Sequence, residues 1–173
     1  MDVFPTEFSD NEFSDIESED RNLEPEERLV KKYFSFLISE YGFTYHNYYF
    51  TSENLQIQFW LGHKTPTILI VRVGEPEFTK IILDRIIQYF AGSLPGENID
   101  FTAKPLEQNL RFFSIFFRKY ATRIIDEIND WWLPVQVFQF RMMESKYKNT
   151  GHIEDFLGSY KREFDYLKSK GVI

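Results

Sequence analysis

The chain has 173 residues, of which 43% are apolar and 18% aromatic, enough to build one compact domain around a single core. It has no Cys, which excludes disulfides, a thiolate nucleophile and a Cys-based zinc site, and which favours a reducing compartment such as the cytoplasm. The acidic start and the lack of an apolar run of about 18 residues argue against a signal peptide and a membrane span.

The net charge of −7 is unevenly distributed. Residues 1–27 carry 11 acidic residues and one Arg, a net charge of −10, whereas residues 28–173 carry a net charge of +3. The total therefore describes no single surface, and the acidic tail and the body must attract partners in different ways.

Residues 1–23 show no helical or alternating pattern, and their Ser, Asp and Glu content is typical of a segment that cannot form its own core. The phrase Glu-Phe-Ser-Asp occurs twice, and apolar residues recur at intervals close to helical spacing. We therefore predict a disordered docking tail, whose acidic groups steer a basic protein partner and whose apolar side chains anchor it. The candidate contact residues are Phe8, Glu12, Phe13, Asp15, Ile16, Glu17, Glu19 and Asp20.

Two other interpretations of the tail stay open. It could only keep the protein in solution, or it could fold back on a basic stripe that a long helix is predicted to present. The stripe consists of Arg111, Arg118, Lys119 and Arg123. Such a stripe can also neutralise phosphates, but a body with a charge of only +3 has little general attraction for nucleic acid.

The first predicted element is an amphipathic helix over residues 24–41, in which apolar residues recur every four positions and which Gly42 ends. Three extended segments follow, separated by short turns. They are an aromatic run at 43–50, an alternating strand at 55–61 and a strand at 67–73 that is apolar on both faces. This order predicts a three-stranded antiparallel meander.

The second half of the chain is predicted to be mostly helical. A Glu-Pro pair opens a helix over 75–92 that should cover the sheet, and a long loop follows it at 93–104. Three further helices are predicted: one over 105–133 that a Leu-Pro pair interrupts, one over 134–147 and one over 153–171. The pattern at 134–147 also suits a strand.

These elements define an α+β protein with an N-terminal helix, a three-stranded meander, a covering helix and a three-helix C-terminal half. We expect residues 24–171 to form a single domain, because core-forming elements continue across the 93–104 loop. Its two parts are the helix-meander-helix half at 24–92 and the helical half at 105–171.

No catalytic template is present in the sequence: there is no nucleophile elbow, phosphate loop, dinucleotide fingerprint or zinc-protease helix. The three His residues are far apart, and none has a second metal ligand at helical spacing. Three carboxylates do fall within one helical turn, but they lie opposite the apolar stripe and are interpreted as a solvated face. These are Asp126, Glu127 and Asp130. We therefore predict a protein without a catalytic residue, metal or cofactor.

The aromatic residues outside the core pattern suggest binding instead. Trp60 alternates with the apolar positions of its strand and so falls on the opposite face, and Tyr48 and His46 are expected on the outward face of the neighbouring strand. An exposed Trp is a candidate anchor for a partner. The alternative is that a helix covers this face and buries Trp60 in a second core layer. Trp131 and Trp132, at a predicted helix end, are interpreted as a packing wedge.

The segments "RLVKKYFSFLISEYGF", "LQIQFWLG" and "TILIVRVG", in an acidic chain without Cys or catalytic motifs, resemble the small immunity proteins of bacterial toxin systems. The resemblance covers about residues 24 to 92. It implies a cytoplasmic inhibitor that blocks a cognate toxin by stoichiometric binding. Two alternatives stay open: a phage or mobile-element regulator that inhibits a host protein through an acidic tail mimicking nucleic acid, and an enzyme whose site lies where the sheet meets the long helix.

Overall fold

The computed structural model describes residues 23–62, 65–93, 96 and 98–173, so residues 1–22 of the predicted tail lie outside it. In the described part it has seven α-helices and a five-stranded antiparallel sheet, which confirms the predicted α+β class. The helices are α1 Pro25–Tyr33, α2 Phe36–Ser39, α3 Leu83–Ala91, α4 Leu106–Asp126, α5 Ile128–Asn149, α6 Ile153–Ser159 and α7 Lys161–Ser169. The strands are β1 Thr44–His46, β2 Tyr49–Thr51, β3 Leu55–Trp60, β4 Thr67–Arg72 and β5 Ile81–Ile82.

The sheet is a simple meander in which each strand pairs with its neighbour in sequence, in the order β1-β2-β3-β4-β5. One row of the register runs through Phe50, Ile57, Ile70 and Ile81, all fully buried. Because side chains alternate along a strand, this row defines an inner face that belongs to the core. The alternation predicted for β3 is confirmed, since its inner residues are buried and Trp60 is exposed.

Five strands are present where the sequence predicted three, and the first difference lies in the aromatic run at 43–50. This run is a hairpin of β1 and β2, because Asn47 and Tyr48 both have positive φ and turn the chain back within two residues. Two-residue hairpins of this kind usually carry Asn-Gly at the turn. An Asn-Tyr pair gives no such signal, and the aromatic residues on either side suggest one continuous strand.

The second difference lies before α3. Pro76 opens a short 3₁₀ turn, Glu77–Thr79, instead of the predicted helix, and the Thr79 hydroxyl donates to the Pro76 carbonyl at 2.6 Å. The chain then forms β5 on the edge of β4 before α3 begins at Leu83. A Pro at the first helical position is a good helix signal, but here it begins a turn that aligns Ile81 with the core row.

The predicted helices are also divided differently. The first helix breaks at Phe34 into α1 and α2, and the last breaks at Tyr160 into α6 and α7. The long helix ends at Asp126 rather than at Pro134, which lies exposed inside α5. The helix predicted over 134–147 is confirmed as part of α5.

Both halves of the chain contribute to one hydrophobic cluster. It joins α1 and the inner face of the sheet to α4 and α5, with Phe34 packed edge-on against Phe59 at 4.6 Å and against Phe117 at 6.1 Å. Trp131 and Trp132 are buried in it, which confirms the packing wedge, and the Trp132 Nε1 donates to the Tyr166 hydroxyl at 3.3 Å. That bond reaches a smaller cluster formed by the C-terminal helices.

We predict that residues 24–171 unfold as one unit, because the shared cluster couples the halves at 24–92 and 105–171. Differential scanning calorimetry should give one transition whose calorimetric enthalpy equals the van't Hoff enthalpy. Cleavage in the 93–104 loop that released two independently folded halves would contradict this.

A second prediction concerns Pro134, which cannot donate a backbone hydrogen bond inside α5 and whose side chain is exposed. Pro134→Ala should raise the free energy of unfolding by between about 1 and 3 kcal/mol, measured by urea denaturation. The matched control is Pro105→Ala at the start of α4, where Pro breaks no helical bond and the substitution should be neutral or destabilising. Equal effects of the two substitutions would contradict the explanation.

Candidate functional site

The outer face of the sheet is the surface on which the sequence placed its binding anchor. One row of the register runs across it from His46 through Tyr49, Gln58 and Leu69 to Ile82. His46 and Ile82, at the two ends, are exposed, and only Leu69 in the middle is buried. The helices of the core therefore pack on the opposite face and leave this one uncovered in the described part of the chain.

Trp60 is the largest exposed apolar side chain of this face. It lies at the end of β3 opposite Thr67 and is 56% exposed, while the Lys80 ammonium is 5.8 Å from its ring centroid. Ile82 on β5, 40% exposed, adds apolar surface to the same face. The described structure thus does not bury Trp60 in a second core layer, as the alternative interpretation of the sequence required.

Tyr48 is not on the outward face, where the sequence analysis placed it beside His46. It occupies the hairpin turn, and its ring packs against the core cluster. Tyr49 takes the outward position instead, directly opposite His46. The outward position shifts by one residue because Asn47 and Tyr48 form the turn, so the alternation of faces begins again at Tyr49.

Tyr48 is held by a chain of hydrogen bonds that begins on α1. The buried Glu27 carboxylate accepts from the Tyr45 hydroxyl at 3.1 Å, and that hydroxyl accepts from the Tyr48 backbone N–H at 3.3 Å. Burial, followed by the Glu27 charge, raises the pKa of Tyr45, so this phenol stays protonated and keeps donating at physiological pH. The Tyr48 carbonyl in turn accepts from the Phe59 N–H at 3.0 Å.

These contacts place the start of α1 beside the hairpin, on the core side of the sheet. Burial and then the carboxylates of Glu27, Glu26 and Glu24 raise the pKa of Tyr48, in agreement with the position of α1 that the Tyr45–Glu27 hydrogen bond gives. Leu23, the first described residue, is tied to the same helix by the Arg28 Nε bond to its carbonyl at 2.8 Å. The first described residues after the acidic tail therefore lie on the core side of the hairpin, whereas the Trp60 side chain lies on the outer face of the sheet.

The other candidate groups are dispersed. Asp126, Glu127 and Asp130 are exposed, which agrees with a solvated face, and His46 and His152 lie exposed on different elements. In the described residues no three His, Asp or Glu side chains gather into a possible metal site. None of the described helices combines the length and the apolar character that a membrane span requires.

The basic stripe of α4 is partly engaged within the protein. Arg118 pairs with Glu40 at 2.5 Å, and Arg123 contacts Glu127 at 3.7 Å while its guanidinium lies 4.1 Å from the Phe90 ring centroid. These partners favour intramolecular salt bridges as the role of the stripe. The eight contact residues predicted in the tail, from Phe8 to Asp20, lie outside the described residues, so their role stays a prediction.

Sequence reasoning missed Lys80, which lies beside the Trp60 ring, and Ile82, which lies on the same face of the sheet. Both had been assigned to the helix predicted over 75–92. The sequence signal for an open outer face was the row of Gln56, Gln58 and Trp60, which alternate with the buried residues of β3. A helix packed on that face would require apolar side chains where the two Gln residues stand.

No protein-family model, curated protein or solved structure matches this chain. The resemblance to immunity proteins therefore stays an expectation, and the function is inferred from the geometry of the outer face and the charge of the tail.

A prediction follows from the backbone of Tyr48, whose φ of 67° costs a non-Gly residue about 1 kcal/mol or more. Tyr48→Gly and Tyr48→Ala remove the same ring contacts, but only Gly relieves the strain, so the Gly variant should be more stable by about 1 kcal/mol in urea denaturation. At Thr67, an exposed strand position, the order should reverse and Ala should be the more stable variant. The same order at both positions would show that the turn is unstrained.

Proposed function

We propose that this chain is a non-catalytic inhibitory binding protein of the immunity type, which blocks a basic protein partner, a toxin, by stoichiometric binding. The observation that carries the proposal is the exposure of Trp60 among the outward-facing residues of the sheet, which the core helices leave uncovered in the described part of the chain. Soluble domains rarely leave a large aromatic side chain open among other apolar groups unless a partner covers it.

The charges support a basic partner. Residues 1–27 carry a net charge of −10, so the negative charge of the chain is concentrated in the segment that precedes and begins α1. A partner with a positive surface would be steered towards this region over distances of about a Debye length. Lys80 is the described cation beside the ring, and it already bonds to Glu77 at 3.1 Å, which offsets its charge.

The two parts of the surface have separate physical roles. Charge on a tail accelerates encounter and is screened by salt, whereas a buried aromatic anchor slows dissociation. The two contributions can therefore be measured independently in one binding experiment. The partner to use is the product of an adjacent gene that is toxic when expressed alone and harmless when co-expressed with this chain.

For the anchor, Trp60→Ala should increase the dissociation rate constant by about 30-fold or more with little change in the association rate constant, measured by surface plasmon resonance. The matched control is Leu157→Ala on α6, which removes an apolar side chain that is similarly exposed, at 53%, from another part of the surface. An unchanged dissociation rate for Trp60→Ala would reject the outer face as the contact surface.

For the tail, a chain that begins at Glu24 should associate about tenfold more slowly at low salt, and the difference should vanish as salt is raised. The double variant Phe8→Ala, Phe13→Ala should instead speed dissociation, whereas Ser9→Ala with Ser14→Ala in the same repeat should do neither. If truncation abolished binding and Trp60→Ala had no effect, the tail alone would be the inhibitory element, as in the regulator alternative.

A further inference from the structure

A cleft separate from the outer sheet face lies between α5, α7 and the 3₁₀ turn before β5. It has a volume of about 40 Å³, which is room for roughly three water-sized groups and far too little for a nucleotide. Phe78, Tyr160 and Met143 form much of its wall, and Glu163 and Gln139 add polar groups.

The polar group that defines the cleft is the Glu163 carboxylate. Its Oε2 atom is buried, and within the described part of the chain it has no hydrogen-bond partner. A carboxylate oxygen that is withdrawn from solvent without a donor is destabilised, so it strongly favours any group that can donate a hydrogen bond to it. The Glu163 charge also contributes, after burial and Tyr147, to raising the pKa of Tyr160, which places the phenol near the carboxylate.

The other walls favour a cation over a neutral donor. The aromatic residues Phe78, Tyr160 and Tyr166 line the cleft, and aromatic rings attract cations electrostatically. Two of these rings already do so, since the Arg162 guanidinium lies 5.3 Å from the Phe78 centroid and the Lys170 ammonium 5.3 Å from the Tyr166 centroid. The acceptor requires an N–H or O–H donor, which excludes a quaternary ammonium, and the small volume disfavours the larger planar guanidinium. What fits both conditions is a primary ammonium.

The lysines near the cleft in the sequence of α7 already have other contacts. Lys161 pairs with Asp165 at 2.7 Å, Lys170 pairs with Glu75 at 3.2 Å, and the Lys168 ammonium is 5.9 Å from the centroid of the Phe164 ring. Lys170 also lies over a ring of the wall, 5.3 Å from the Tyr166 centroid, but no described group donates a hydrogen bond to Glu163 Oε2.

We infer that the Glu163 cleft is a binding site for a primary ammonium group, with Glu163 Oε2 as the acceptor and the aromatic rings as the surrounding wall. Either a lysine side chain of another protein or a small free amine supplies this chemistry. The site does not depend on the Trp60 surface, so the failure of one leaves the other intact.

The test is a titration of the full chain with methylammonium chloride, observed through ¹³C-labelled methionine methyl groups. The chain has three Met residues: Met143 lines the cleft, and Met142, whose sulfur is 3.9 Å from the Arg85 Nη1, is an internal control. The Met143 signal should shift and saturate with a Kd on the order of 10 mM, as expected for a ligand of two heavy atoms. Methanol and sodium chloride at equal concentrations should leave it unchanged.

Two variants decide the role of the carboxylate. Glu163→Gln keeps the shape and removes the charge, and it should weaken methylammonium binding by about tenfold or more, whereas Glu154→Gln on the exposed side of α6 should not. Gln139→Lys places an ammonium on the wall of the cleft, so it should abolish the response to methylammonium and raise the melting temperature. This second variant keeps the test decisive if Glu163→Gln folds poorly.

The proposal is overturned if methylammonium leaves the Met143 signal unchanged, because the cleft then holds only water. It is also overturned if methanol shifts Met143 as methylammonium does, or if both variants bind methylammonium like the unmodified chain, because the response then does not arise from an ammonium bound to Glu163. The same titration with N-acetyl-lysine N-methylamide distinguishes the two sources of ammonium. Binding as tight as that of methylammonium assigns a lysine side chain of a protein, and binding of methylammonium alone assigns a small free amine.

Discussion

The constraint on which the rest of the structure depends is that all core packing falls on one face of the sheet. The row from Phe50 to Ile81 is buried against the helices, and the helical half contributes Phe117 and the two buried Trp residues to the same cluster. A sheet covered on one side must present its other face to solvent. The open surface around Trp60 is therefore a consequence of how the core is built, and its apolar content is what distinguishes it from an ordinary wet face.

Much of this fold could be predicted because its main signals are periodic. The alternation in β3, the apolar run of β4 and the four-residue spacing of α4 each gave the correct element. The errors occur where one or two residues change the chain direction. Tyr48 turns a hairpin at a position that usually requires Gly, and Pro134 continues a helix that Pro usually ends, because tertiary packing outweighs the local preference at both positions.

The candidate site was less predictable than the fold for the same reason. Trp60 could be found from the sequence, since its outward position depends only on alternation. Its neighbours could not, because Ile82 reaches the outer face only through the short β5, and Tyr48 leaves that face only through the turn. The Glu163 cleft had no sequence signal at all, since it joins α5 and α7 to a turn about 85 residues earlier in the chain.

The edges of the sheet determine whether a protein with such an open face tends to aggregate. β1 has three residues and β5 only two, so each edge offers very few free backbone groups to a strand from another molecule. Long, flat edges next to exposed apolar side chains are the usual starting points for aggregation and for growth of extended sheets. Because this sheet ends in two short strands, the protein can keep Trp60 accessible in solution without stacking edge to edge into fibres.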